Sequence, residues 1–179
     1  SGCPMADMAD AEAVREMKKK HPGALVVTYV NSTAEVKAES DICVTSANAW
    51  KIVAQLPADR DIIFVPDKNL GSWVQKKTGR NMILWPGFCP THMRITPDKI
   101  LKKKAEYPGA KVIIHPESKP ESVALADEAL STGGMCRYVK ESKDKTFIVA
   151  TEMGLIYRLQ KENPDKVFIP VSEQAVCTN

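Results

Sequence analysis

The chain has 179 residues, enough for one large or two small domains and for a core that needs no disulfide staples. Apolar residues make up 44% and charged residues 26%, ordinary globular values that exclude intrinsic disorder. Twenty-five Lys+Arg against 22 Asp+Glu leave a net charge of only +3, so composition does not argue for a nucleic-acid partner, and no apolar stretch approaches the roughly 18 residues of a membrane span.

In chain order the pattern predicts a helix at Ala11–Lys20, ending in a basic burst that reads as a solvated face. A strand follows at Ala24–Val30, then a strand at Ile42–Thr45 and a helix at Asn48–Leu56. Next come a strand at Ile62–Val65, a helix at Gly71–Lys77 and a strand at Met82–Trp85. Thr96 followed by Pro97 marks the start of a helix at Pro97–Glu106, as an N-cap and a proline at the first helical position. Beyond it the reading continues with a strand at Lys111–Ile114, a helix at Glu121–Leu130 and a strand at Arg137–Val139. A strand at Phe147–Ala150, a helix at Gly154–Glu162 and a strand at Val167–Ile169 complete it. Short β-branched runs of this kind belong to strands covered on both faces, and strand–helix alternation implies parallel sheets with right-handed crossovers. The expected fold class is α/β, as repeated three-layer α/β/α units.

The repeat is visible in the sequence. His21-Pro22-Gly23-Ala24-Leu25-Val26 returns 86 residues later as Tyr107-Pro108-Gly109-Ala110-Lys111-Val112, and Cys3-Pro4 returns at the same offset as Cys89-Pro90. The register pairs Tyr29 with His115, Asn31 with Glu117 and Ser46 with Thr132. It then slips to 85, where Asp67 meets Glu152. Cys177 lies 88 residues past Cys89. The expected organisation is a unit at 1–88, a second at 89–176, and the start of a further segment at 177–179.

Ligands of open parallel sheets sit beyond the carboxyl ends of the strands, where Tyr29, Asn31, Thr45, Ser46 and Asp67 fall in the first unit. His115, Glu117, Ser131, Thr132, Thr151 and Glu152 fall there in the second. A His–Glu pair stiffened by Pro116 suits acid/base chemistry. The loops Ser46-Ala47-Asn48 and Thr132-Gly133-Gly134 could hold an anion, though a simple N-cap explains Ser46 equally well. The chain opens Ser-Gly-Cys-Pro with no secretory pattern, and its five dispersed cysteines form no C-x-x-C knuckle, so reduced intracellular thiols are expected. Each cysteine alone reads as a small buried hydrophobe. The shared register of Cys3, Cys89 and Cys177 favours ligands brought together by pseudo-symmetry, holding a soft metal or an iron–sulfur cluster. Cys43 and Cys136 fall outside the register and stay hydrophobes. His92 reads as a loop residue, with a supporting role near the cluster as the alternative.

These stretches run in one order: Gly2-Cys3-Pro4-Met5-Ala6, Tyr29-Val30-Asn31-Ser32-Thr33, Thr45-Ser46-Ala47-Asn48 and Pro66-Asp67-Lys68-Asn69-Leu70-Gly71. Cys89-Pro90-Thr91-His92, His115-Pro116-Glu117, Ser131-Thr132-Gly133, Thr151-Glu152-Met153-Gly154 and Cys177-Thr178-Asn179 continue the series. Together they resemble the quinolinate synthase family of de novo NAD biosynthesis. The resemblance implies three homologous α/β/α domains about a pseudo-threefold axis, each giving one cysteine, here Cys3, Cys89 and Cys177, to a [4Fe–4S] cluster with one open iron. It implies condensation of iminoaspartate with dihydroxyacetone phosphate, then dehydration and cyclisation to quinolinate in the cytoplasm. L-aspartate oxidase or aspartate dehydrogenase would be the upstream supplier, with no nucleic-acid or membrane partner. By the same resemblance Tyr29, Val30, Asn31, Ser46, His115, Pro116, Glu117 and Thr132 contact substrate, with Tyr29 and Glu117 as the acid/base pair. The family's first domain has no counterpart here, so the chain is expected to be a fragment that carries the second domain, the third, and a terminal loop with Cys177. An iron–sulfur hydro-lyase acting on another small carboxylic acid, or an inert metal-binding or scaffold domain, are the competing expectations.

Overall fold

The structure, a computed structural model, describes residues 2–177, and the chain divides into two compact units after Cys89. Thr178 and Asn179, assigned from the sequence to the terminal loop, lie outside the described residues. The first unit runs α1 (Ala11–Lys20), β1 (Leu25–Tyr29), α2 (Ala34–Ala38), β2 (Ile42–Val44), α3 (Ala49–Gln55), β3 (Ile62–Val65), α4 (Lys68–Thr78) and β4 (Ile83–Leu84). The second repeats that order with α5 (Pro97–Glu106), β5 (Lys111–Ile114), α6 (Pro120–Val123), β6 (Glu128–Ala129), α7 (Thr132–Glu141), β7 (Thr146–Ala150), α8 (Met153–Glu162) and β8 (Val167–Pro170). Each unit holds one parallel four-stranded sheet, ordered β2-β1-β3-β4 and β6-β5-β7-β8. The α/β class and the repeated unit expected from the sequence are what the chain adopts.

Alternation along the central strands separates the two layers of each core. In the first unit Val27, Tyr29, Ile62 and Phe64 pack with Ala49, Val53, Leu70 and Val74 of α3 and α4. Val26, Ile63 and Val65 turn the other way, onto Val14 of α1 and Val36 of α2. The second unit packs Ile113, Phe147 and Val149 on α7 and α8, while Val112, Ile114 and Ile148 face Ile100 of α5. Burying each of these side chains contributes on the order of 1.5–3 kcal/mol, which is why the short runs are strands and not loops. The register slip is real: Leu25 pairs with Ile62 and Lys111 with Phe147, so the first strand repeats after 86 residues and the third after 85. Gly23 and Gly109 both sit at φ 83°, a left-handed turn that requires glycine, which explains why Pro-Gly recurs.

Three elements differ from expectation. The stretch Glu121–Leu130 is not one helix. It is the four-residue α6 followed by edge strand β6, because Asp127 is tied twice to β5: its N–H donates to the Val112 carbonyl at 2.9 Å and its Oδ2 accepts from Val112 N at 2.7 Å. Asp41 makes the same pair of bonds to Val26 in the first unit, at 3.0 and 2.7 Å. Arg137–Val139 is not a strand. It lies inside α7, where Met135, Cys136 and Val139 fall at helical spacing on one buried face and Ser131 Oγ accepts from Gly134 N to start the helix. The five-residue α2 was not anticipated; Thr33 Oγ1 caps it by accepting from Val36 N. Thr96 does occupy the N-cap of α5 with Pro97 behind it, but its side chain makes no capping hydrogen bond.

Candidate active site

Parallel pairing places the carboxyl ends of β1 and β2 side by side in one unit, and those of β5 and β6 in the other. Tyr29 ends β1 with its ring buried in the α3/α4 layer, and its hydroxyl accepts a hydrogen bond from Asn31 Nδ2 at 3.2 Å. Val30 continues the ladder by donating from N to the Val44 carbonyl at 2.9 Å, and Ser32 Oγ donates to the Tyr29 carbonyl at 2.9 Å. These bonds fix the turn that carries Asn31. Ser46 follows β2 and is buried, but it is not the cap of α3. Asn48 holds that position and accepts from Thr45 N and Oγ1 through its side chain, at 2.7 and 3.0 Å. Asp67 and Glu152, the matched acids after β3 and β7, cap α4 and α8 by accepting from Leu70 N (2.8 Å) and Gly154 N (2.7 Å).

The second unit gathers more. His115, Pro116 and Glu117 are all buried directly after β5, and Ser118 N closes the turn onto the His115 carbonyl at 3.0 Å. His115 Nδ1 accepts from Glu117 N at 3.3 Å, so the neutral ring carries its proton on Nε2. His92, in the 3-10 turn His92–Arg94, stacks on His115 with ring centroids 4.7 Å apart and an interplanar angle of 28°. Its Nδ1 lies 3.0 Å from Glu117 Oε2 and its Nε2 lies 3.0 Å from Thr151 Oγ1. His92 is therefore more than a loop residue, which corrects the preferred reading from sequence. Thr132 is exposed as the first residue of α7, at the amino end of a ten-residue helix. A cleft of about 630 Å³ along α5 and β8, lined by Lys99, Tyr107, Phe168 and Ser172, includes none of these side chains.

Burial drives the His115 pKa from 6.5 down to about 4; the Glu117 charge opposes that fall and His92 adds to it. The ring is thus neutral near pH 7, with Nε2 as the atom that carries its proton. Because the folded pKa lies below the unfolded one, the stability His115 contributes is complete above pH 6.5 and is lost as the pH falls toward 4. The loss amounts to about 3 kcal/mol at most. Urea unfolding at pH 7.5 and pH 4.5 should show a smaller acid destabilisation in His115→Gln than in the parent. Identical pH slopes would remove His115 as the cause.

All five cysteines are free thiols. Cys89 belongs to the buried cluster around Tyr29 and Met5, and Cys3 packs against the same cluster, while Cys177 is exposed. Cys43 is exposed on edge strand β2, and Cys136 is part of the α7 core face. Among the described residues Cys89, His92 and Glu117 offer ligand atoms of the kinds that hold a metal ion.

The sequence profile of the family described as Quinolinate synthetase A protein matches residues 1–179. The chain belongs to the quinolinate synthase family. The quinolinate synthase of Dehalococcoides mccartyi strain CBDB1 is 61% identical over 179 residues, which is all of this chain and 59% of that protein. That of Pelobacter propionicus is 57% identical over 180 residues, with the same coverage. That of Methanoregula boonei is 52% identical over 177 residues, or 99% of this chain and 58% of its own length. The chain thus spans about 59% of the quinolinate synthases it matches. The residues that the sequence reading missed, His92 and the role of Thr151, had one available signal: parallel neighbours β5 and β7 end together, with His115 N donating to the Ala150 carbonyl at 3.0 Å beside Thr151.

Proposed function

We propose that the full-length protein is a quinolinate synthase. In this reading it condenses iminoaspartate with dihydroxyacetone phosphate, then dehydrates and cyclises the product in the cytoplasm. An L-aspartate oxidase or aspartate dehydrogenase would supply the iminoaspartate. The units at 1–88 and 89–176 carry the catalytic groups, and the segment from Cys177 carries the last ligand. The observation that carries the proposal is the buried His92–Glu117–His115 group in a chain that matches this family end to end.

The chain's own residues suit the chemistry. Dehydration needs a base at carbon and an acid at the departing hydroxyl; Glu117 takes the proton and the Tyr29 hydroxyl serves as its partner. His115, neutral and protonated on Nε2, donates to a substrate oxygen without adding charge. Asn31 supplies an amide from beside the Tyr29 hydroxyl, and Val30 and Pro116 hold the two turns in shape. Ser46, and Thr132 at the first turn of α7, offer hydroxyls and backbone N–H groups to carboxylate or phosphate. Cys3, Cys89 and Cys177 fit a [4Fe–4S] cluster as donors, since three free thiols match its ligand type and Cys3 and Cys89 border one buried cluster. When bound, the cluster supplies a Lewis-acidic iron to substrate oxygens. Among the described residues no helix is long and apolar enough to cross a membrane.

Complementation tests the proposal. The full-length gene should restore growth without nicotinate to a bacterium that lacks its own quinolinate synthase. Failure despite soluble, iron-loaded protein would turn the reading toward a hydro-lyase of another small carboxylic acid; failure with zinc or no metal bound would favour the inert domain.

A further inference from the structure

We propose that Met8 and Arg94 are positioning residues that fasten together the stretches carrying successive cluster ligands; the inference rests on the reading of Cys3, Cys89 and Cys177 as those ligands. Each stands five residues after a ligand cysteine and ends a 3-10 turn, Ala6–Met8 in the first unit and His92–Arg94 in the second. Each reaches, within its own unit, to the stretch that leads into the next cysteine. In the first unit Phe88 N, directly before Cys89, donates to Met8 Sδ at 3.4 Å. In the second Arg94 Nη1 donates to the Gln174 carbonyl at 2.7 Å, three residues before Cys177. The backbone carbonyl of the same residue is held as well. Trp85 Nε1 donates to the Met8 carbonyl at 2.7 Å, and Lys99 Nζ donates to the Arg94 carbonyl at 3.1 Å. Thr91 Oγ1 adds a bond to the carbonyl of Val176, the neighbour of Cys177, at 3.4 Å.

Met8 and Arg94 lie 86 residues apart, the offset of the repeat, yet a thioether accepts in one unit and a guanidinium donates in the other. One contact built twice from unrelated side chains points to a demand of the loops themselves, since packing that suits a thioether does not suit a guanidinium. Glycine lets the two stretches of the first unit lie together, because a Cβ at Gly87 would meet the Pro66 carbonyl and stand 3.3 Å from Met8 Cβ. That unit also sets Cys3 and Cys89 against one buried cluster with Met5. Ligands on separate loops hold a metal group only while the loops keep register, and bonds beyond the ligands are what orient them.

Release of the cluster reads this role without an activity assay. In the anaerobically purified full-length protein, Met8→Leu removes the acceptor at nearly constant volume, and Arg94→Met keeps the stem without the guanidinium. Each should speed the loss of brown absorbance to excess EDTA about three- to tenfold, the scale of one net hydrogen bond. Met8→Gln offers a carbonyl oxygen to Phe88 N and Arg94→Lys keeps a donor, so both should release iron at close to the parental rate. Val139→Ala opens a cavity in the α7 core face; it should lower the melting temperature more than these variants and leave the release rate alone. Equal release by Met8→Leu and Met8→Gln removes the role of Met8, and equal release by Arg94→Met and Arg94→Lys removes that of Arg94. Release rates that simply follow the melting temperatures across the set would overturn both. If Met8→Leu fails to fold, Trp85→Phe, which takes the donor from the Met8 carbonyl, stands in its place. Colour that survives Cys3→Ala, Cys89→Ala and Cys177→Ala would instead reject the ligand reading itself, which keeps the two failures distinct.

Discussion

Glu117→Gln in the full-length enzyme should lower quinolinate turnover roughly a hundredfold or more while leaving the protein folded, the usual scale for removing an acid/base group. The substitution keeps the volume of a side chain that is only 3% exposed, and the glutamine oxygen can still accept from His92 Nδ1, so the packing has little to lose. Tyr29→Phe should behave alike. The ring stays in the α3/α4 layer and only the hydroxyl that accepts from Asn31 is removed. Steady-state kinetics beside thermal melts separate the two roles: near-normal turnover in both variants rejects the catalytic assignment, and unfolding of both makes Tyr29 and Glu117 structural residues.

Replacing Cys3, Cys89 or Cys177 by Ala should abolish the brown absorbance of the anaerobically purified full-length protein, and Cys43→Ala or Cys136→Ala should leave it intact. Cys43 sits on the exposed edge of β2, so its loss removes neither packing nor ligand. Cys136 lies in the α7 core face, so Cys136→Ala leaves a small void at a cost of about 1 kcal/mol, with the chromophore retained. Loss of colour in a folded Cys43→Ala or Cys136→Ala variant would refute this choice of ligands.

The central strands were legible because Leu25–Tyr29, Ile62–Val65 and Lys111–Ile114 must be apolar on both faces to sit under helices on each side. The segment between β5 and β7 was not. Edge strand β6 is only two residues long, and its place is set by the Asp127 side chain, a long-range bond that leaves no periodic trace. Two consecutive glycines in Thr132-Gly133-Gly134 disguised the start of α7, whose helical spacing shows only from Met135 onward. The repeat register exposed the Tyr29/His115 and Asn31/Glu117 pairs, since matched turns follow matched strands. It could not expose His92, because the residue 86 positions earlier is Ala6. A group present in one unit only is invisible to internal symmetry, and its contacts to Glu117 and Thr151 cross 25 and 59 residues of chain.

The most direct measurement is product formation by the anaerobically purified full-length protein supplied with freshly generated iminoaspartate and dihydroxyacetone phosphate. The account requires quinolinate to appear over many turnovers in the parent and at about one hundredth of that rate or less in Glu117→Gln. An iron-loaded, folded parent protein that makes no quinolinate from these two substrates would contradict it.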